Sequence, residues 1–417
     1  MFAKMLKACL VSGGIIGCSI LLVAPASATT MTLSGDPVSP AADYNFLLFE
    51  NLRLSLTGEV AATYDDNLHE EEDDEEESFY LVPRLRLAID WPITPHIKLG
   101  SGVSVGYRHY ITGDADDNII VGMQDLSTGL AAKIFVGNGV IRLSEQFSRD
   151  VETFRLLGDD SEDSVLNTNT ISAKYSVPLN PYIHFNTEYV HQNVWTTTSE
   201  LDYRDHVRDS IDVAALWQVN PQFQLGPYAR YETINYGDFD HPFFGAVNDR
   251  ELPEAGLTFL YRREAGFTLQ GSLGYQDMDI DADDPFITDE DDGLVGRAAC
   301  SFSTSRFTDH VFSISHDRNQ ALISPNVNYS EETRYRYAIA SNIMPEITLH
   351  GDVSYVNINE SDMGEKADLY QVGLGTSYRF TPKATVRLRY DFTYKDSDRE
   401  TSEFDRNRFT VRFIYDF

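Results

Sequence analysis

The sequence predicts an all-β fold, a transmembrane antiparallel up-and-down β-barrel of about 18 strands, with 16 to 20 compatible. Three observations carry the prediction. An alternating apolar run closes the sequence, tight-turn signals recur along it, and a signal-peptide layout precedes a chain with no helix-length apolar segment.

Lys4 and Lys7 lead into an apolar stretch from Ala8 to Val23, followed by the small triplet Ala26, Ser27 and Ala28. This is the layout of a secretory signal peptide over residues 1–28, cleaved after Ala28 so that the mature chain starts at Thr29. Ile15-Ile16-Gly17-Cys18 looks a little like a lipoprotein site, but Ile20 to Val23 continue the same apolar core, which favours simple cleavage over acylation. Residues 29–51 form a short periplasmic lead-in. Asp36-Pro37-Val38-Ser39-Pro40 reads as flexible, Phe46 to Phe49 either tuck into the barrel or begin a strand, and the segment is too short for a globular plug.

Residues 52–417 are the barrel. Turn signals fall at Pro92 to Pro95, Gly137-Asn138-Gly139, Asn180-Pro181, Asn220-Pro221, Arg263 to Gly266, Ser305 to Phe307, Met344-Pro345 and Thr381-Pro382-Lys383, about forty residues apart. Longer polar loops lie between them, near 65–77, 111–119, 153–166, 195–206, 237–249, 277–292, 319–328, 358–366 and 396–403. Eight tight turns and nine loops connect eighteen strands, an even number that sets both ends of the barrel on the tight-turn side.

Between these signals apolar and polar residues alternate. Val386, Leu388, Tyr390, Phe392 and Tyr394 oppose Arg387, Arg389, Asp391 and Thr393, a period of two that no helix could place on one face. Tyr80, Tyr107, Tyr110, Tyr182, Tyr228, Tyr231, Tyr378 and Tyr394 cluster near strand ends, where amphipathic rings suit the membrane boundary. In the final strand Phe409, Val411, Phe413, Tyr415 and Phe417 share one face. This ending resembles the C-terminal signal of bacterial outer-membrane barrels, which implies that Phe413, Tyr415 and Phe417 are read by the barrel-assembly machinery.

The formal net charge is −32, and removal of residues 1–28 takes away two lysines and no acids, leaving −34. So acidic a chain is not a nucleic-acid binder. Acids concentrate at Asp65 to Glu77 and Asp277 to Asp292, runs that repel and are expected in solvated loops. Only Cys300 remains after cleavage, so no internal disulfide forms.

With the apolar face turned to lipid, the opposite face carries Arg84, Arg86 and Asp90, then Lys98 and Arg108, His184, Asn186 and Glu188, Arg230 and Glu232, and Arg387, Arg389 and Asp391. These are the candidate pore-lining residues. Facing rows of arginines and acids would set a transverse field for polar solutes. A wet wall needs polar residues in any case, and cross-strand ion pairs are close to neutral in energy, so no single arginine is assigned a role. Loose cation binding is open to Glu70, Glu71, Glu72, Asp73, Asp74, Asp281, Asp283 and Asp284, which lack EF-hand spacing; the favoured role of these acids is electrostatic, a negative outer rim that concentrates cations and repels anions, with bridging by magnesium or calcium to lipopolysaccharide as its companion. No cofactor is expected. The histidines form no tight catalytic motif; His310 and His316 share one strand near Ser313 and Ser315 but are too far apart to act together.

Thr63-Tyr64-Asp65-Asp66-Asn67, an acidic loop, and then Leu81 to Ile89 with Pro83 resemble the first hairpin of the β-barrel porin type 2 family, in which a tyrosine followed by Asp-Asp-Asn closes the first strand. The resemblance implies an outer-membrane barrel, often encoded with exopolysaccharide or capsule export components. Two functions stand: a channel passing polar solutes or polysaccharide, or a non-conducting surface or assembly barrel whose acidic loops bind cations, polysaccharide or a partner protein.

Overall fold

A period of two with apolar side chains on one face needs two environments, and lipid demands that every backbone group be paired within the protein. A closed barrel meets both demands. The computed structural model describes residues 47–49, 51–68, 77–113, 117–122, 128–155, 161–197, 205–236, 240–241, 245–246, 249–263, 266–280, 290–319, 330–360, 365–399 and 402–417.

Eighteen ladder positions follow one another in chain order. The first are β1 (Leu52–Asp65), β2 (Ser78–Thr94) and β3 (Ile97–Thr112). Position β4 is filled by two pieces, Asn118–Val121 and Thr128–Val136, both held between β3 and β5 (Gly139–Arg155). Then come β6 (Ser161–Asn180), β7 (Ile183–Thr196), β8 (His206–Asn220), β9 (Phe223–Asn235), β10 (Arg250–Arg263), β11 (Phe267–Ile280) and β12 (Glu290–Ser305). The last six are β13 (Thr308–Asn319), β14 (Ser330–Met344), β15 (Ile347–Glu360), β16 (Lys366–Thr381), β17 (Ala384–Ser397) and β18 (Phe404–Asp416). Neighbours pair antiparallel, and β18 returns to β1 with Thr57 opposite Asp416 and Asp65 opposite Arg408. The sheet therefore closes without a free edge. Leu47–Phe49 of the lead-in forms a short strand folded back on β1, Leu47 opposite Leu54.

The turns follow from local chemistry. Asn180 and Asn220 each accept two amide hydrogen bonds through Oδ1, from Tyr182 and Ile183 and from Gln222 and Phe223, all at 2.8 to 3.0 Å. Gly137 and Gly266 take positive φ, +58° and +79°, which their tight turns need and a Cβ would resist.

Three expectations are corrected. The spans 153–166, 277–292 and 358–366 are narrower as loops, because β5 reaches Arg155, β6 starts at Ser161, β11 reaches Ile280, β12 starts at Glu290 and β15 reaches Glu360. A strand of 20 residues, as in β6, spans about 65 Å, so its outer part stands clear of the bilayer, where exposed acids such as Asp277 and Asp279 remain in water. Asp65 belongs to no solvated run, being wholly buried. Tyr80, Tyr110 and Tyr228 are not boundary residues; each faces inward and is 8% exposed, whereas Tyr107, Tyr182, Tyr231 and Tyr378 point outward. The signal-peptide residues 1–28 and most of the lead-in lie outside the described residues.

Candidate functional site

Paired residues on neighbouring strands share a face, so the register assigns each side chain to the lipid wall or the lumen. Leu85, Val105, Leu257 and Leu273 are more than two-fifths exposed on the outer wall, while Glu59, Arg84, Asp212 and Arg230, on the other parity, are nearly enclosed. All eleven candidate pore-lining residues take the inner parity: Arg84, Arg86 and Asp90 on β2, Lys98 and Arg108 on β3, Glu188 on β7, Arg230 and Glu232 on β9, and Arg387, Arg389 and Asp391 on β17.

They do not form one cluster. Near the closing seam, Glu59 accepts from Arg84 at 2.8 Å and lies 3.3 Å from the Arg412 Nε. On β17, Arg389 donates to Asp391 at 2.7 Å and reaches Asp352 on β15 at 3.1 Å. On β3, Arg108 bonds Asp150 at 2.9 Å and lies 5.4 Å from the Tyr80 ring centre. Across β6 to β10 runs a denser network: Lys174 meets Glu188 at 2.5 Å, Arg208 meets Glu232 at 2.7 Å, and Arg230 meets Asp212 at 2.5 Å and Glu254 at 3.7 Å. Tyr228 donates its hydroxyl to Glu254.

The register also aligns bases. Lys98 lies opposite Lys133, Lys133 opposite Arg142, and Arg142 opposite Lys174, with Glu188 ending the row. Like charges directly opposed cost stability in a sheet, and this row gathers positive charge in one sector of the wall, with Lys174 paired to Glu188. Lys133, Arg142, Lys174, Glu59, Asp212 and Glu254 were absent from the sequence-derived set. Inward parity was the signal that could have included them, once the strand containing each had been given its register.

Phe413, Tyr415 and Phe417 lie outward, with Phe413 6.0 Å from Phe380 and Phe417 packed edge-on to Tyr415 at 5.2 Å. A Cβ on Gly58 would come within 3.1 Å of the Phe417 ring, so the glycine leaves the space that the ring occupies. Glu70, Glu71, Glu72, Asp73, Asp74, Asp281, Asp283 and Asp284 lie outside the described residues. His310 stacks on Phe302 and His316 contacts Thr333, both on the outer parity of β13.

A model of the family described as "Putative beta-barrel porin 2" matches residues 184–415, more than half of the chain. The chain belongs to this family. The match begins at β7, whereas the Tyr64-Asp65-Asp66-Asn67 resemblance lies in the first hairpin, so separate parts of the sequence lead to the same family. The porin is accordingly an outer-membrane β-barrel of porin type. No curated protein matches it. Among solved structures it is similar to OccAB3 of Acinetobacter baumannii, with 10% identity, a TM-score of 0.47, and coverage of 87% of this chain and 99% of that one. It is also similar to OpdK of Pseudomonas aeruginosa, solved with vanillate (13%, TM-score 0.49, 87% and 99%), and to a BenF-like porin of Pseudomonas fluorescens Pf-5 (12%, 0.49, 88% and 99%).

Proposed function

We propose that the porin passes polar solutes across the outer membrane by diffusion, without covalent chemistry, and that its inner wall favours anionic ones. The observation that carries this reading is the closed eighteen-strand wall with charged residues on its inner parity. Barrels of this strand number are wide enough for an aqueous lumen unless loops fill it. Lys98, Lys133 and Arg142 of this row lie on the wall that a solute passes. Rim acids act across water and are screened within about 8 Å at physiological salt.

In this reading residues 1–28 direct export and are removed after Ala28, and the barrel-assembly machinery recognises Phe413, Tyr415 and Phe417. The acidic loops hold divalent cations loosely and bridge to lipopolysaccharide. A polysaccharide with uronic acid groups is a fitting cargo, and export components of an exopolysaccharide system would then be partners.

The test is conductance of the mature barrel in a planar bilayer under a salt gradient. Stable open steps with anion preference are the expected result. Persistent silence from folded protein would instead favour a non-conducting surface or assembly barrel.

A further inference from the structure

Arg250 opens β10 at the long-loop end and faces inward, opposite Ile234 on β9 and Ile280 on β11. Those isoleucines, with Tyr236, Leu252 and Met278, form a buried apolar cluster, and all lie on the inner parity. Arg250 is itself only 5% exposed, and its guanidinium carbon lies 5.8 Å from the Tyr236 ring centre.

Among the described residues, its Nε and Nη1 are buried without a hydrogen-bond partner. The inward carboxylates nearest in register are engaged elsewhere, Glu232 by Arg208 and Glu254 by Tyr228 and Arg230. A guanidinium removed from water among aliphatic side chains is costly unless an anion meets it, and an aromatic face returns only part of that cost. The fork of a guanidinium matches the two oxygens of a carboxylate.

We propose that Arg250 and the cluster around it form a binding site at the outer mouth of the lumen for a small monoanion with an apolar body, a hydrophobic carboxylate. One unmatched positive charge suits a single negative charge, and the aliphatic lining suits a ring or short chain better than a sugar. Phosphate, with more charge and no apolar part, fits poorly. The site goes beyond the channel reading and does not depend on it, since binding needs no conduction.

The experiment is calorimetric titration of the full mature barrel in detergent with benzoate, and with acetate, benzyl alcohol and inorganic phosphate as controls. Benzoate should bind saturably at one site, and Arg250→Met should weaken it by at least about tenfold, the worth of a charge-assisted hydrogen bond. Acetate, which lacks the apolar body, and benzyl alcohol, which lacks the charge, should bind more weakly than benzoate, as should phosphate. Without ligand, the folded Arg250→Met variant should withstand heat at least as well as the wild type, and benzoate should raise the melting temperature of the wild type alone. If that variant does not fold, Arg250→Lys serves instead, keeping the charge and losing the fork. No saturable benzoate heat, equal affinity in the variant, or phosphate binding as tight as benzoate would overturn the site. Conductance on the same preparation separates the two readings: open channels that ignore benzoate sink the site alone, and a silent barrel that binds benzoate sinks the channel alone.

Discussion

Arg406 on the last strand grips Asp65 on the first through two hydrogen bonds, Nε to Oδ1 at 2.8 Å and Nη2 to Oδ2 at 2.6 Å, and Asp65 is fully buried. The next two residues repeat the clasp. Asp66 accepts from the amide and side chain of Asn407, and the Asn67 side chain donates to the carbonyl of Asp405 at 2.9 Å. The Asp-Asp-Asn signature of the first hairpin is thus the fastening of the barrel seam.

Asp65→Ala should therefore loosen closure. It leaves Arg406 without its buried partner, a change worth about 3 kcal/mol or more in such pairs. The heat-modified band of the purified barrel should convert at a lower temperature than the wild type. An unchanged conversion temperature would mean that the clasp contributes nothing to closure.

Phe417 sits on the space left by Gly58, and its amide donates to the Leu56 carbonyl at 3.1 Å. Deleting Phe417 removes a ring from the seam as well as the residue expected to be read during assembly. The amount of folded barrel in the outer membrane should fall. Gly58→Leu, which pushes into the same ring while sparing the ending, should lower stability with a smaller effect on delivery. Normal levels after deletion would count against both roles.

The inner wall was legible because its signal is local. Alternation in a single strand tells Arg387 from Leu388 without knowledge of any neighbour, and so Arg84, Glu188 and Asp391 could be assigned a face from sequence. Partnership was not legible, because it depends on register and closure, which a period of two does not fix. Asp65 reads as one acid among ten between residues 65 and 77, and the arginine that buries it lies 341 positions away. Tyr80 and Tyr228 read as boundary residues because an amphipathic ring suits that place; their inward parity appears only when Tyr80 is set opposite Thr63 and Tyr228 opposite Ala214. The break in β4 gives only a weak turn signal, Gly122 with φ of +67°.

Charge reversal on the exposed inner wall tests what sets ion preference. A unit charge about 8 Å away in water is worth roughly 0.5 kcal/mol before salt screening, and reversal changes the site by two charges that act on anions and cations in opposite senses, so Lys98→Glu and Arg387→Glu should each move the anion-to-cation permeability ratio towards cations by roughly threefold to thirtyfold. Replacing Glu70 to Asp74 by glutamine, with Asp65 and Asp66 retained to keep the seam, should move it less. If the rim variant shifts the reversal potential more than the wall variants, the acidic loops control the passage.

Arg230 is the hub of the network on β8 to β10, where Asp212 is 2% exposed and Glu254 8%. Removing the hub takes the guanidinium from two buried carboxylates, Asp212 and Glu254, and leaves Glu254 with the Tyr228 hydroxyl as donor. Arg230→Met should therefore cost about 3 to 5 kcal/mol, read as a lower urea midpoint of the refolded barrel in detergent. Arg230→Lys keeps the charge and loses the fork that spans both acids, so its loss should be intermediate. Combining Arg230→Met with Asp212→Asn and Glu254→Gln removes the stranded charges and should recover most of the stability. A triple variant no better than Arg230→Met would show that the guanidinium acts through packing and that its charge contributes little.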